Sequence, residues 1–177
     1  MTVIYSNMGD TDTAVLKLMW GGLDDVKVVS AAAPREELIA AIEAEEGTLL
    51  MCGHGSSRGL FSPNWGFAIT DPLLRAHLKT RNVIGIWCYA AYFAAYNDYP
   101  GFYSSMFISN DGEAAMNDIY GYSNEQIWES ERNFCRKVNE LLKSKTPLED
   151  WQDVLQASYD PENEIEAFNY EGLHYYN

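Results

Sequence analysis

The sequence predicts an α/β fold, a three-layer α/β/α sandwich built around a mainly parallel sheet. Short β-branched runs alternate with helical segments along most of the chain. Residues 48–51 and 83–87 are apolar almost throughout, without the alternation of a strand that has one wet face. Strands of this kind are expected where helices cover both faces of a parallel sheet. A length of 177 residues favours a single domain.

Five short strands are predicted from runs of apolar and β-branched residues. They comprise residues 2–5, 26–29, 48–51, 83–87 and 106–109. The connections between them are long enough to hold helices, as parallel strands require. We therefore expect right-handed crossovers, with the carboxyl ends of the strands at one edge of the sheet.

Capping and stop signals predict the helices between the early strands. Asp12 is a suitable N-cap for a helix that ends at Gly21-Gly22. Pro34 suits the first position of the next helix, and Gly47 is expected to end it. Asp71-Pro72 starts a third helix in the same way, running through residue 79.

The second half of the chain is predicted to be mostly helical. Residues 90–96 form a helix directly behind the fourth strand. Ser123 and Gln126 make a capping box for the longest helix, from residue 124 to about 142. Its buried stripe is predicted to comprise Ile127, Phe134, Val138, Leu141 and Leu142. Thr146 and Pro147 open one more helix.

The last part of the chain differs in composition from the rest. Residues 149–177 hold eight Asp and Glu residues and no Lys or Arg, together with many aromatic residues. We interpret residues 1–148 as the α/β domain. Residues 149–177 are interpreted as an acidic, aromatic-rich extension that packs on the domain.

Charge and cysteine usage exclude several classes of function. A formal net charge of −14 argues against binding to nucleic acid and to anionic lipid, and leaves cationic proteins, basic peptides and small molecules as partners. The sequence contains neither an apolar run of membrane-spanning length nor a signal peptide at its start, which predicts a cytoplasmic protein. Three cysteines make a disulfide framework improbable and allow a reduced thiol with a chemical role.

Two residues stand at the ends of predicted neighbouring strands. His54 follows the strand at 48–51, and Cys88 follows the strand at 83–87. Adjacent parallel strands lie about 4.8 Å apart, so the two side chains can approach each other at one edge of the sheet. Each residue alone has an ordinary structural explanation, as a surface histidine or a small core cysteine. Their joint placement, with Gly53 and Gly55 beside the histidine, favours a functional pair.

The pair suggests nucleophilic chemistry. An imidazole can take the proton of a thiol, and the helix that opens behind Cys88 favours a thiolate through its dipole. The amides of Gly55 and Cys88 could hold the oxyanion of an acyl-transfer intermediate. The remaining Cys and His residues are interpreted as structural; they are Cys52, Cys135, His77 and His174. Because they show no metal-ligand spacing, neither a metal nor a cofactor is predicted.

These two strand ends resemble those of caspase-like cysteine peptidases, the caspase–hemoglobinase group that includes metacaspases, clostripain and the bacterial CHAT domains. The shared pattern is a strand ending in His-Gly, here 49–55, followed by a strand ending in Cys and a small residue, here 83–90. The stretch 106–115 is similar to the strand and acidic turn that follow the nucleophile in CHAT domains. Trp87 and Tyr89 depart from the pattern, since caspases have a small residue before the cysteine and Tyr89 separates Cys88 from the two alanines that follow.

The resemblance implies a thiol protease in which His54 is the general base and Cys88 the nucleophile. Basic-specific members of the group line the first substrate subsite with acids, for which the candidates here are Asp111, Glu113 and Asp10. The negative charge of the chain is compatible with cleavage of a peptide or protein substrate after Lys or Arg.

Two other functions remain open from the sequence. One is a catalytically inactive domain of the same fold that binds a cationic protein partner through its acidic tail. The other, a flavodoxin-like small-molecule domain, lacks a convincing phosphate-binding loop. Three aromatic residues, Trp65, Phe67 and Tyr99, are interpreted mainly as core, with a substrate groove or a dimer contact as the alternatives.

Overall fold

Eight strands occur in the computed structural model, which describes residues 1–64 and 66–177. They are β1 (Thr2–Tyr5), β2 (Lys27–Ser30), β3 (Thr48–Cys52), β4 (Gly55–Ser56), β5 (Gly59–Leu60), β6 (Asn82–Ile86), β7 (Gly101–Ser104) and β8 (Leu173–Tyr176). Six of them form the central sheet in the order β2-β1-β3-β6-β7-β8, and β4 and β5 form a separate hairpin. Neighbours in the sheet are parallel except for β7 and β8, which are antiparallel. The predicted α/β class with a mainly parallel sheet is confirmed.

Helices surround the sheet. They are α1 (Thr11–Val15), α2 (Arg35–Glu43), α3 (Asp71–His77), α4 (Ala90–Asn97), α5 (Asp111–Met116), α6 (Asn124–Ser144), α7 (Leu148–Gln156) and α8 (Glu164–Glu171), with a 3₁₀ turn at Leu16–Met19. Within the described residues, none of these helices has both the length and the apolar character needed to cross a lipid bilayer.

Alternate residues of the inner strands of the sheet enter two separate hydrophobic cores. Ile4 of β1 packs in one core with residues of α2, α3 and α4. Its neighbours Val3 and Tyr5 pack in the other, with residues of α6, α7 and α8. Because the strands are buried on both faces, they show no polar alternation in the sequence. Helices thus pack against both faces of the sheet, which is compatible with the predicted three-layer sandwich.

Several predicted boundaries are corrected near the start of the chain. Asp10, and not Asp12, caps α1, since its Oδ1 accepts the Thr13 N–H at 2.8 Å. The helix continues as a 3₁₀ turn only to Met19. Helix α2 ends at Glu43, before the predicted stop at Gly47, because the intervening residues form a turn in which Glu45 accepts the Gly47 N–H at 2.7 Å.

The fifth strand was predicted at residues 106–109 and lies instead at Gly101–Ser104. Pro100-Gly101 is typical of a turn, but here Gly101 begins the strand with a φ of +135°. A Cβ at Gly101 would lie 2.2 Å from the Val83 carbonyl oxygen, so only glycine allows β7 to start so close to β6.

A side chain from the tail takes the place of a strand partner for the loop at 106–109. Asn169 of α8 accepts the Ile108 N–H at 2.7 Å, and its Nδ2 donates to the Ile108 carbonyl at 2.9 Å. Asn169 is buried, so both bonds are shielded from water. The tail also supplies β8, the edge strand of the sheet. Residues 149–177 therefore help to shape the loop that borders the cleft described below, whereas the division of the chain at residue 148 stays a prediction.

Replacement of Asn169 by Ala is expected to lower the free energy of unfolding by about 2 to 4 kcal/mol, because it leaves two buried backbone groups unpaired. Chemical denaturation measures the effect. Asn133→Ala is the matched control, since the Asn133 side chain accepts a hydrogen bond from Arg136 at the surface, and it should change stability by less than about 0.5 kcal/mol. Equal effects of the two substitutions would contradict the bracing role of Asn169.

Candidate functional site

His54 and Cys88 line one cleft at the carboxyl edge of the sheet. Strands β3 and β6 are adjacent and parallel, with Cys52 paired to Ile86 at their ends. The pairing extends one residue further, as the Gly53 N–H donates to the Ile86 carbonyl at 3.1 Å. The two side chains therefore emerge at the same level of the sheet, and both border a cleft with about 30 Å³ of free volume, room for a single water molecule or two.

Trp87 holds the two halves of this site together. Its indole Nε1–H donates to the Ser56 carbonyl at 3.1 Å, which ties the end of β6 to the hairpin that follows His54. The ring has room because two neighbours lack side chains: a Cβ at Gly55 would lie 2.2 Å from Trp87 Cδ1, and one at Gly85 would lie 2.8 Å from Cζ3. The tryptophan that departs from the caspase-like pattern is thus accommodated by two glycines.

A sharp turn presents Cys88 to the cleft. Tyr89 adopts the left-handed conformation, with φ 68° and ψ 23°, and α4 begins at the next residue. For a non-glycine residue this conformation costs on the order of 1 kcal/mol. The Tyr89 N–H donates to the Ser105 carbonyl at 3.0 Å, which holds the turn in place. Strained backbone of this kind is concentrated at functional sites.

The resting thiol of Cys88 is protonated at neutral pH. Burial is the main cause that raises its pKa to about 11, and the charge of Glu113 adds to the effect. The Sγ–H donates to the Phe107 carbonyl across 3.7 Å. The dipole of α4 is expected to favour a thiolate, whereas burial and the nearby carboxylates act in the opposite direction and favour the thiol in the free protein.

Asp10 orients the imidazole of His54. The His54 Nε2–H donates to Asp10 Oδ2 at 2.9 Å, and Asp10 Oδ1 accepts the Thr13 N–H and hydroxyl at 2.8 and 2.6 Å. Burial alone would raise the pKa of Asp10, but the hydrogen bonds from Thr13 and His54 together hold it below its usual value. A carboxylate at Nε2 selects the tautomer in which Nδ1 keeps its lone pair. Asp10 is predicted from the sequence to bind substrate, but in the structure its carboxylate is bonded to the His54 ring.

Two amides are available to an oxyanion. Within residues 1–64 and 66–177 the Cys88 N–H donates to no backbone carbonyl. In the β4–β5 hairpin, the Phe61 N–H donates to the His54 carbonyl at 2.9 Å, so the next pair, Gly55 and Leu60, is a non-hydrogen-bonded pair. The Gly55 N–H is therefore not directed at its partner strand.

The other two predicted substrate-binding acids have local partners. Glu113 Oε2 accepts both the N–H and the hydroxyl of Ser109, each at 2.8 Å, and so holds the turn before α5. Asp111 is exposed at the start of α5, and its N–H donates to Asn124 Oδ1 at 2.8 Å. Neither side chain lines the cleft.

Asp12 and Glu131 line the cleft, although neither is predicted from the sequence to belong to the site. Asp12 was interpreted as a helix cap, and that role belongs to Asp10. Glu131 lies on α6 among the buried stripe, four residues after Ile127 and three before Phe134. A charged residue at an apolar position of an amphipathic helix was the available signal.

The remaining cysteines and histidines lie away from the cleft. Cys52 and Cys135 are fully buried in the core next to α6. His77 Nδ1 contacts a Glu43 carboxylate at 2.8 Å, and His174 lies on β8. In the described part of the chain, no three or more His, Cys, Asp or Glu side chains are arranged to hold a metal ion.

Of the three aromatic residues interpreted mainly as core, the structure describes two. Tyr99 is buried, whereas Phe67 is half-buried. Trp65 lies outside the described residues.

Replacement of Gly85 by Ala is expected to disrupt the seat of Trp87, because the new Cβ would also lie 2.5 Å from Tyr103 Cδ1. The free energy of unfolding should fall by about 1 to 3 kcal/mol, as is usual for overpacked cores. Gly21→Ala is the control, since a Cβ there meets its nearest atom at 3.6 Å and should leave stability nearly unchanged. An unaltered denaturation midpoint for Gly85→Ala would count against tight packing at Trp87.

Comparison with known proteins leaves the chemistry of the cleft to be inferred from its own residues. No family model matches this chain, and no curated protein matches it.

Proposed function

We propose that this chain is a cysteine peptidase that uses a His54–Cys88 dyad and cleaves after a basic residue. The observation that carries the proposal is that both side chains line one cleft, with the Asp10 carboxylate bonded to Nε2 of the imidazole. The caspase-like resemblance of the two strand ends supports the same chemistry. The carboxyl groups of Asp12 and Glu131 in the cleft favour a cationic side chain of the substrate.

The proposed reaction begins from a neutral thiol and a neutral imidazole. The Cys88 Sγ–H proton passes to His54 Nδ1 as Sγ bonds to the carbonyl carbon of the scissile peptide. The carbonyl π electrons move to the oxygen, which accepts hydrogen bonds from the Cys88 and Gly55 amides. Asp10 stabilises the imidazolium that forms.

The second half of the reaction restores the enzyme. The oxyanion re-forms the carbonyl and expels the amine, which takes its proton from His54. A water molecule then gives a proton to His54 and attacks the thioester, releasing the carboxylic acid. The sulfur regains its proton from His54, so that atoms and charges balance over the cycle.

A peptidyl acyloxymethylketone with a basic residue next to its reactive carbonyl should label Cys88 at neutral pH and leave Cys52 and Cys135 unlabelled, because both are sealed in the core. His54→Ala should slow labelling by about a hundredfold or more, the usual contribution of a general base. Asp10→Asn should slow it less, since Nδ1 remains. Intact mass and peptide mapping measure these rates, and equal labelling of wild type and His54→Ala would contradict the dyad.

A small reagent provides the matching control. Alkylation of Cys88 by iodoacetamide needs the thiolate, and the pKa of about 11 means that its rate should rise about tenfold per pH unit from pH 8 to 10. His77→Ala tests whether the loss of any imidazole slows labelling by the peptidyl probe. His77 lies on α3, where its ring contacts Glu43 of α2, and it does not line the cleft. The substitution should leave labelling unchanged.

The raised pKa of Cys88 also favours a second candidate, an inactive domain that binds a cationic partner. Truncation of the acidic tail cannot test it, because residues 149–177 supply β8 and Asn169. The triple substitution Glu149→Gln, Asp153→Asn and Glu162→Gln removes charge from exposed positions instead. The inactive domain predicts weaker, salt-sensitive binding of an oligolysine peptide by this variant, with no probe labelling of Cys88. The peptidase predicts wild-type labelling in the same variant.

A further inference from the structure

Glu131 is a buried acid without a partner. Its side chain projects from α6 into the cleft, only 2% of the residue is exposed, and Oε2 has no hydrogen-bond partner within residues 1–64 and 66–177. An unpaired buried carboxylate is among the least favourable groups in a protein interior. A ligand that donates a hydrogen bond to Oε2 would satisfy this buried oxygen.

The charged groups that act most strongly on Glu131 are carboxylates. Asp10 and Asp12 face it from the start of α1, and Glu113 faces it from α5. Its neighbour Arg132 is engaged at the surface, where it donates to Glu125 at 2.6 Å and to Glu129 at 2.7 Å. Burial and the three carboxylates raise the pKa of Glu131 well above its usual value. Among the described residues, the charges around Glu131 are therefore predominantly negative, which favours a cationic ligand.

Asp12 is held in place at the same cleft. Its Oδ2 accepts the Ser109 hydroxyl at 3.1 Å and the Asn110 side-chain amide at 2.9 Å. Those two donors belong to the loop that Asn169 braces, so the carboxylate of Asp12 is fixed relative to the cleft wall. Cys88 lines the same cleft, which puts the two acids beside the proposed nucleophile.

We propose that Glu131, with Asp12, binds the ammonium group of a substrate lysine at the cleaved bond, and that it selects lysine over arginine. This inference rests on the proposed peptidase function and assigns its specificity to two named residues. An ammonium group is the size of a water molecule, so the free volume of about 30 Å³ can admit it beside the acids, although the cleft has to open further for the stem of the lysine side chain. A guanidinium group is a wide planar fork, and its entry would require the walls to separate further.

Three acyloxymethylketones that differ only in the residue next to the reactive carbonyl test the inference on the full chain. They carry lysine, arginine or norleucine, which has the four-carbon chain of lysine without its ammonium group. Wild-type protein should label Cys88 about tenfold faster or more with lysine than with norleucine, as expected for a charge-assisted contact. Labelling with arginine should be slower than with lysine.

Glu131→Gln keeps the shape of the side chain and removes its ability to become a carboxylate when the ammonium group binds. The variant should lose most of the lysine preference while its rate with norleucine stays within about twofold of wild type. Glu140→Gln, at an exposed position of the same helix, is the control and should keep the wild-type ratio. Thermal unfolding should show that Glu131→Gln is at least as stable as wild type, and Glu131→Met serves as a second neutral variant.

The outcomes separate the two proposals. If no probe labels Cys88 in the folded wild type, the peptidase proposal fails and the specificity falls with it. If Cys88 is labelled equally fast with lysine and norleucine, or if both neutral variants keep the lysine preference, only the role of Glu131 is overturned. Faster labelling with arginine than with lysine would overturn the selection by size.

Discussion

The packing of Trp87 between two glycines is the contact on which the candidate site depends. The indole lies under the hairpin that follows His54, and its backbone leads directly into Cys88. Any side chain at Gly55 or Gly85 would occupy the space of the ring. Because the ring is buried and its N–H is bonded, its position is determined by both packing and a hydrogen bond. The relative placement of the imidazole and the thiol therefore follows from the core, and not from flexible loops alone.

The cleft combines a potential nucleophile with an excess of negative charge, and these two features oppose each other in the free protein. Carboxylates and burial stabilise the neutral forms of Cys88 and Glu131 alike. A cation bound between them would lower both pKa values, since it favours the thiolate and the carboxylate together. In the proposed peptidase the substrate would supply part of the electrostatic environment that its own cleavage needs, and the thiol would stay protected in the absence of substrate.

The sequence predicted the fold well where local chemistry and tertiary packing agree. The strand at Thr2–Tyr5 has its predicted bounds, and the capping box of Ser123 and Gln126 starts α6 as expected. The prediction was wrong for the fifth strand. That strand begins at Gly101 because only a residue without a Cβ can lie so close to the Val83 carbonyl of β6, and no local sequence pattern indicates this tertiary contact. The shared edge of His54 and Cys88 followed from the parallel sheet. The contact between His54 and Asp10 joins residues far apart in the chain and could not be predicted from spacing.

Glu131 shows how a departure from a local rule can mark a site. The buried stripe of α6 continues on both sides of Glu131 with Ile127 and Phe134. An apolar residue at position 131 would complete the stripe and remove the free-energy cost of burying an acid. Natural sequences break such rules mainly where activity requires it, and they accept the loss of stability at those positions. Glu131 lies beside Cys88 in the cleft, so the substitution that would most improve the packing of α6 would also remove the buried carboxyl group to which we assign substrate recognition. Under that proposal, stability and recognition make opposite demands on one residue.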